Sequence, residues 1–313
     1  MVCTSTASLY ALLSESEASV VLYLNQATLN FQALAAVSPA HVHVSHGESE
    51  KISMVSNQLK AYDYVFTAGP AARQRIGSHL VSFDQSHCVD VGRPQLDEPR
   101  VAPSELPVSD RVTVMYAPTW EGDSPSMAYS SVADRGVSIV ESLLKAGKRV
   151  IYRPHPQTGS KSRATRRAHR DIQQLLQAAG ADHFVDRGPS VGWQWDVASE
   201  FVVDVSAMAY DAVASGKPTV IVVPASADAE VSTGGIVSKI TTLDASHPDV
   251  NIQLQLAATP EALAAGEAVA EYHFGEVSPG AQIKRFIAAT LQVIEERRNA
   301  LAERRTEYGP AAE

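Results

Sequence analysis

Four short clusters of polar side chains in this chain carry residue types with chemistry of their own. The first is His46-Gly47-Glu48-Ser49-Glu50-Lys51. An imidazole titrating near neutrality can take a proton from an attacking hydroxyl. Glu48 or Glu50 can orient that ring or sit at a helix start, and Lys51 can meet a phosphate. Taken alone, these six residues fit a capping motif with a solvated histidine better. The second cluster, Tyr116-Ala117-Pro118-Thr119-Trp120-Glu121-Gly122, places a hydroxyl beside a proline, as a ligand loop or a plain tight turn would. The third is Arg153-Pro154-His155-Pro156, where flanking prolines restrict the backbone and so aim both side chains. Arginine offers a fork of donors matching phosphate oxygens, and histidine can protonate or hydrogen-bond a leaving phosphate. A structural turn has little use for both. The fourth runs from Asp204 through Ser206 to Asp211. Ser206 falls at a helix N-cap, where backbone N–H groups and the helix dipole favour an anion such as a pyrophosphate. Asp211 can accept from ribose hydroxyls or stand solvated.

Each cluster follows a run that reads as a strand. In the first third these runs are 20–24 (VVLYL), 41–45 (HVHVS), 64–67 (YVFT) and 88–91 (CVDV), with helical patterns over 50–62 and 70–79. A stretch over 92–110 with four prolines and four acids then ends the alternation and reads as an interdomain linker. Beyond it, 112–117, 149–153, 201–205 and 219–223 are short and rich in β-branched residues, like buried parallel strands. Helical patterns over 137–146, 161–179, 207–215 and 259–271 lie among them. Alternation of this kind predicts βαβ units in two Rossmann-like lobes, with ligands at the carboxyl ends of strands facing a cleft. The predicted divisions are a small first lobe over 1–100, a second over 101–278, and a C-terminal helix and tail over 279–313. The last helix carries Ile283, Phe286, Ile287, Leu291 and Ile294 at helical spacing and ends densely charged, which predicts a docked helix with a solvated end.

Composition excludes several classes. With 26 basic and 35 acidic side chains in 313 residues, the net charge is -9, which argues against nucleic acid as a partner. Cys3 and Cys88 give neither a disulfide framework nor a metal-ligand spacing. No run approaches the roughly 18 apolar residues of a membrane span, and the N-terminus lacks a signal peptide's basic region. These features predict a cytoplasmic protein, with contact at the inner face of the membrane left open. Ser232-Thr233-Gly234-Gly235 reads as a flexible turn rather than a phosphate nest, Arg163, Arg166, Arg167 and Arg170 as a solvated basic face, and His41 and His43 as packing residues.

Taken together, the clusters resemble the CDP-glycerol glycerophosphotransferase family, the teichoic acid polymerases and primases with a GT-B fold, and within it the actinobacterial branch. The resemblance rests on His46-Gly47 with Lys51, Tyr116 to Thr119, Arg153 to Pro156 and Asp204 to Asp211 in family order, with SHGESEK, NQLKAYDY and TWEG as surrounding text. It spans roughly residues 20 to 290. The resemblance implies an acceptor-side first lobe, a nucleotide-donor second lobe, and transfer of glycerol phosphate or a related polyol phosphate from a CDP carrier to a wall or capsular acceptor. His46 would be the base that activates the acceptor hydroxyl, and His155 with Arg153 would bind the donor phosphates and assist departing CMP. Ser206 and Asp204 would lie at the diphosphate with Lys51, Asp211 at the ribose, and Thr119 nearby. The implied partners are a CDP-activated polyol and a polyol-phosphate or glycolipid acceptor, with peripheral membrane contact. No metal or other cofactor is implied, because arginine, histidine and helix N-terminal amides can neutralise the phosphates. Two features depart from the family pattern. Only about 45 residues precede His46, and Ala207 stands where many relatives have a second serine. A UDP-sugar glycosyltransferase or epimerase, and a non-catalytic nucleotide-binding homologue, are the competing readings.

Overall fold

The computed structural model describes residues 5–16, 18–44, 48, 55–232 and 234–309. The chain divides into two compact units, Met1–Asp97 with Glu271–Glu313, and Glu98–Ala270.

In the first unit, β1 (Val20–Tyr23), β2 (Ala40–His43), β3 (Tyr64–Thr67) and β4 (Cys88–Asp90) form a parallel sheet in sequential order. Helix α1 (Thr6–Glu15) precedes the sheet, and α2 (Pro70–His79) joins β3 to β4. The predicted helix over 50–62 is represented among the described residues by a single 3-10 segment, Asn57–Ala61. His41 is a packing residue. Its Nε2 lies 2.8 Å from the Ala36 carbonyl, and its Nδ1 lies 2.7 Å from the Tyr23 hydroxyl.

The second unit holds β5 (Thr113–Ala117), α3 (Val137–Lys145), β6 (Arg149–Tyr152), α4 (Arg163–Ala179), β7 (Phe184–Val185), α5 (Trp193–Val197) and β8 (Glu200–Asp204). It continues with α6 (Ala207–Ala214), β9 (Thr219–Val222), β10 (Thr242–Leu243), α7 (Val250–Ala257) and most of α8 (Pro260–Phe274). Its six strands are all parallel, in the order β10-β9-β8-β5-β6-β7. The hydrophobic runs predicted as buried strands are buried on both faces. Tyr116, Tyr152 and Val202 pack with Ile139 and Leu143 of α3, Ile172 and Leu176 of α4, and Leu254 of α7. The strand order reverses between β5 and β8, which makes the carboxyl ends of those two strands the place where a doubly wound sheet opens a crevice.

The final helix, α9 (Ala281–Tyr308), belongs with the first unit. This differs from the sequence reading, which set 279–313 apart and ended the second lobe at 278. The reason is apolar. Phe286, Ala289 and Val293 pack against Val42, Phe66 and Val91 of the first sheet. Asp97 fastens the helix start by accepting the N–H groups of Gln282 (2.7 Å) and Ile283 (2.8 Å).

Candidate functional site

At the reversal between β5 and β8, one carboxylate ties the strand-end loops together. Asp204, the last residue of β8, is fully buried. Its Oδ2 accepts the N–H of Thr119 (2.8 Å) and the N–H of Ser131 (3.0 Å). Its Oδ1 is buried with no partner among the described residues. Loss of water pushes the carboxyl up to about 7, against the pull of the N–H donors. Below it, the Ser131 and Tyr116 hydroxyls share a hydrogen bond of 2.6 Å, and Tyr116 stacks on Tyr152 at 5.6 Å. Asp204 thus holds the two chain segments after β5 onto the end of β8.

The loop that follows is organised by Glu121. Its carboxylate accepts the N–H groups of Gly159 (3.0 Å), Lys161 (3.3 Å) and Ser162 (3.0 Å), joining this loop to the entrance of α4. Gly122 takes φ +80, and a Cβ there would lie 2.3 Å from the Met127 carbonyl oxygen, so no other residue fits the turn. Trp120, just before them, has the Lys161 ammonium 5.1 Å from its ring centroid and is stacked with His155 at 6.0 Å and 18°. The Nδ1 of His155 accepts the Gln157 N–H at 3.1 Å. In the neutral ring the proton therefore sits on Nε2, making that nitrogen the donor.

Arg153, two residues earlier, is ion-paired through Nη1 with Asp186, which follows β7. Asp186 is buried and Arg153 partly so, at 2% and 14% side-chain exposure. Asp186 also accepts from Gln194 Nε2 (2.6 Å) and the Gly188 N–H (2.9 Å). One arm of the arginine fork is thus committed to the protein itself, and the pair fixes where the rest of the guanidinium stands. Arg153→Ala leaves Asp186 without its cation and is expected to lower stability by about 3–5 kcal/mol, with Arg153→Lys recovering part of that loss. Unfolding temperatures of the two variants check this.

Ser206 precedes α6 but does not cap it. Its hydroxyl donates instead to the Asp204 carbonyl (3.2 Å), so the leading N–H groups of α6 are not satisfied by that side chain. Asp211 is buried on the same helix, at 3% exposure, which removes the reading of it as a solvated carboxylate. Thr119, Arg153, His155, Asp204 and Ser206 thus all stand at carboxyl ends of strands of one sheet. The basic face expected on α4 is partly spent, because Arg166 Nε donates to the Gly159 carbonyl (2.9 Å) and Arg167 stands 3.9 Å from Asp171.

His46 and Lys51 lie outside the described residues. Of the first cluster Glu48 is described. It is buried and bonded to Arg75 and His273. Sequence reasoning missed Ser131, Asp186, Arg75 and His273. The one local signal was an apolar pair ending at Asp186 and then Gly188, a strand end too short to show alternation. Among the described residues, no group of three or more His, Cys, Asp or Glu side chains is arranged to hold a metal ion, and no helix is long and apolar enough to cross a membrane.

Known structures share this architecture. A Listeria monocytogenes protein described as a UDP-N-acetylglucosamine 2-epimerase is 14% identical, with 93% of this chain and 78% of that chain covered and a TM-score of 0.60. The wall teichoic acid polymerase TagF, from a CDPG soak, is 15% identical over 91% of this chain and 74% of that chain, with a TM-score of 0.58. The S. aureus MnaA–UDP co-structure is 13% identical, covers 92% and 78%, and scores 0.52. These likenesses show an α/β fold of the GT-B class, with two parallel sheets. No curated protein matches the sequence. The family model of CDP-glycerol:poly(glycerophosphate) glycerophosphotransferases matches residues 1–224, well over half of the 313, and so carries the strand-end residues from Thr119 to Asp211 with it. On that match, the chain belongs to the CDP-glycerol:poly(glycerophosphate) glycerophosphotransferase family.

Proposed function

We propose that the protein transfers glycerol phosphate from CDP-glycerol to a hydroxyl of a teichoic-acid-type polyol phosphate, releasing CMP. The observation that carries this reading is the strand-end constellation of the second sheet. Asp204 holds the loops of Thr119 and Ser131 at the order reversal, beside a donating His155 Nε2 and the uncapped start of α6. A nucleoside diphosphate needs such a place, with N–H donors and a helix N-terminus for its phosphates.

In the proposed reaction the acceptor hydroxyl attacks the phosphorus that bears glycerol, and its proton passes to His46. The new O–P bond forms as the bond from that phosphorus to the bridging oxygen breaks, and CMP leaves with the electron pair. His155 Nε2–H donates to the departing phosphate, Arg153 adds positive charge, and the α6 amides with Ser206 hold the diphosphate. Asp211 takes the ribose and Lys51 contributes a further cation. Apart from the base His46, these residues neutralise or orient, which is most of what phosphoryl transfer asks of a protein.

Calorimetric titration with CDP-glycerol, against UDP-glucose and UDP-N-acetylglucosamine, tests the donor. Saturable binding of CDP-glycerol alone is the expected result. Selective UDP-sugar binding moves the protein to the glycosyltransferase or epimerase reading, and binding of neither by folded protein to a non-catalytic one. Arg153→Ala is expected to weaken the CDP-glycerol titration by about 1–3 kcal/mol, measured below its own unfolding temperature.

A further inference from the structure

Five of the chain's 26 basic side chains, Lys161, Arg163, Arg166, Arg167 and Arg170, fall within ten residues that hold none of its 35 acidic ones. The four arginines lie on α4, whose buried face is Thr165, Ala168, Ile172 and Leu176. At 3.6 residues per turn they share an arc of about 100° opposite that face, along about 10 Å of helix. All four are exposed. Arg166 is anchored, with Nε donating to the Gly159 carbonyl and Nη2 standing 3.4 Å from the Ser160 carbonyl. Arg167 has Asp171 at 3.9 Å with 81% of its side chain exposed. Among the described residues, no acid pairs with Arg163 or Arg170.

For the helix alone this is a poor arrangement. Like charges three and four residues apart repel, as Arg163 does with Arg166 and Arg167, and Arg170 with the same two. Cations also oppose the positive end of the helix dipole, yet Arg163 opens α4 and the first turn has no acid. A local rule broken with so little compensation inside the fold points to a ligand. Four guanidinium forks match phosphate oxygens, and cations set in a row rather than a pocket suit an extended chain of them. A bilayer fits less well. A membrane-surface helix sets large apolar side chains beside its cations, and α4 exposes none. The row also starts beside the strand-end site, because Glu121 fixes the α4 entrance and Lys161 stands over Trp120, which stacks with His155. We infer that Arg163, Arg167 and Arg170, with the anchored Arg166, form a track that binds successive phosphates of a polyol-phosphate chain. Binding of the chain stands independently of the proposed transfer, whereas its identity as the acceptor rests on that reading.

The test uses the full chain with Arg163, Arg167 and Arg170 replaced together, by glutamine in one protein and by lysine in another. Arg166 is kept because its guanidinium holds the turn before α4. Fluorescence anisotropy of a labelled synthetic glycerophosphate oligomer reads affinity between about 0.05 and 0.2 M salt. The glutamine protein is expected to bind the oligomer about 10-fold more weakly or worse, with the slope of log affinity against log salt flatter by about 2. The lysine protein keeps the charge and is expected to lose only a few-fold. CDP-glycerol affinity is expected to stay unchanged, and the unfolding temperature to hold or rise, since the contacts removed are repulsive. An unaltered oligomer affinity in the folded glutamine protein overturns the track, and so does failure of the unaltered protein to bind the oligomer at the lower salt. The CDP-glycerol titration decides the donor reading separately in either case. Weakened binding of phosphatidylglycerol vesicles or single-stranded DNA, with the oligomer unaffected, overturns the track in favour of a membrane or nucleic acid. Arginine-dependent oligomer binding by a protein that neither binds CDP-glycerol nor releases CMP keeps the track and overturns the transferase reading.

Discussion

On the proposed reaction, His46→Ala is expected to lower the rate of glycerophosphate transfer by about 10²–10⁴-fold, the range for loss of a general base, while CDP-glycerol is expected to bind with about its original affinity. The separation follows from where each group acts. A base that takes the acceptor proton strengthens its interaction only as the hydroxyl attacks, so its loss appears in kcat and leaves ground-state binding of the donor alone. His155→Ala is expected to behave differently. Its ring is held with Nδ1 accepting the Gln157 N–H, in a stack with Trp120, and Nε2 is directed to a donor role. A phosphate ligand of that kind is present before and during bond breaking, so its loss weakens donor affinity and rate together. Calorimetry with CDP-glycerol on both variants, alongside CMP release, distinguishes the two. Equal loss of donor affinity in both variants moves His46 to the donor site and leaves the proposed base unassigned.

The second large effect is on Asp204. Its carboxyl is raised from an ordinary 3.8 to about 7 by burial, so between those pH values the folded protein holds a proton that the unfolded chain does not. The stability that this group contributes is therefore full below about pH 4 and is lost as pH rises through about 7, by up to about 4 kcal/mol at roughly 1.4 kcal/mol per pH unit. Asp204→Asn is expected to remove that decline, and Asp204→Ala to destabilise at every pH. The alanine leaves the Thr119 and Ser131 N–H groups buried without their acceptor, a loss of about 2–5 kcal/mol. Urea unfolding from pH 5 to 8 on the three proteins reads both effects. Parallel curves for the aspartate and the asparagine would show that this side chain does not titrate in the window.

The strand ends were legible because each was written locally. The apolar runs ending at Ala117, Tyr152 and Asp204 stop where the polar clusters begin, and period and composition mark that junction without any knowledge of the fold. The partners were not legible. Ser131 lies 73 residues from Asp204, Asp186 lies 33 from Arg153, and His273 lies 225 from Glu48, and no spacing rule reaches across such intervals. Burial was equally hidden. One reading left Asp211 in water and another set Glu48 at a helix start, yet both are almost fully enclosed. Strands β7 and β10 escaped because two residues cannot show a period. The placement of α9 was half visible. Its apolar spacing announced a docking face, but the sheet that receives it is fixed only by the complementarity of Phe286, Ala289 and Val293 to Val42, Phe66 and Val91.

That placement has a consequence for how the chain comes off the ribosome. The first sheet is translated early, but the helix that covers Val42, Phe66 and Val91 is not made until Glu98–Ala270 has been synthesised. At about 5–20 residues per second, that interval lasts roughly 10–35 s. The unit that begins first is thus the one that must finish last, and the contiguous unit Glu98–Ala270 can fold while the first sheet still waits with bare apolar strands.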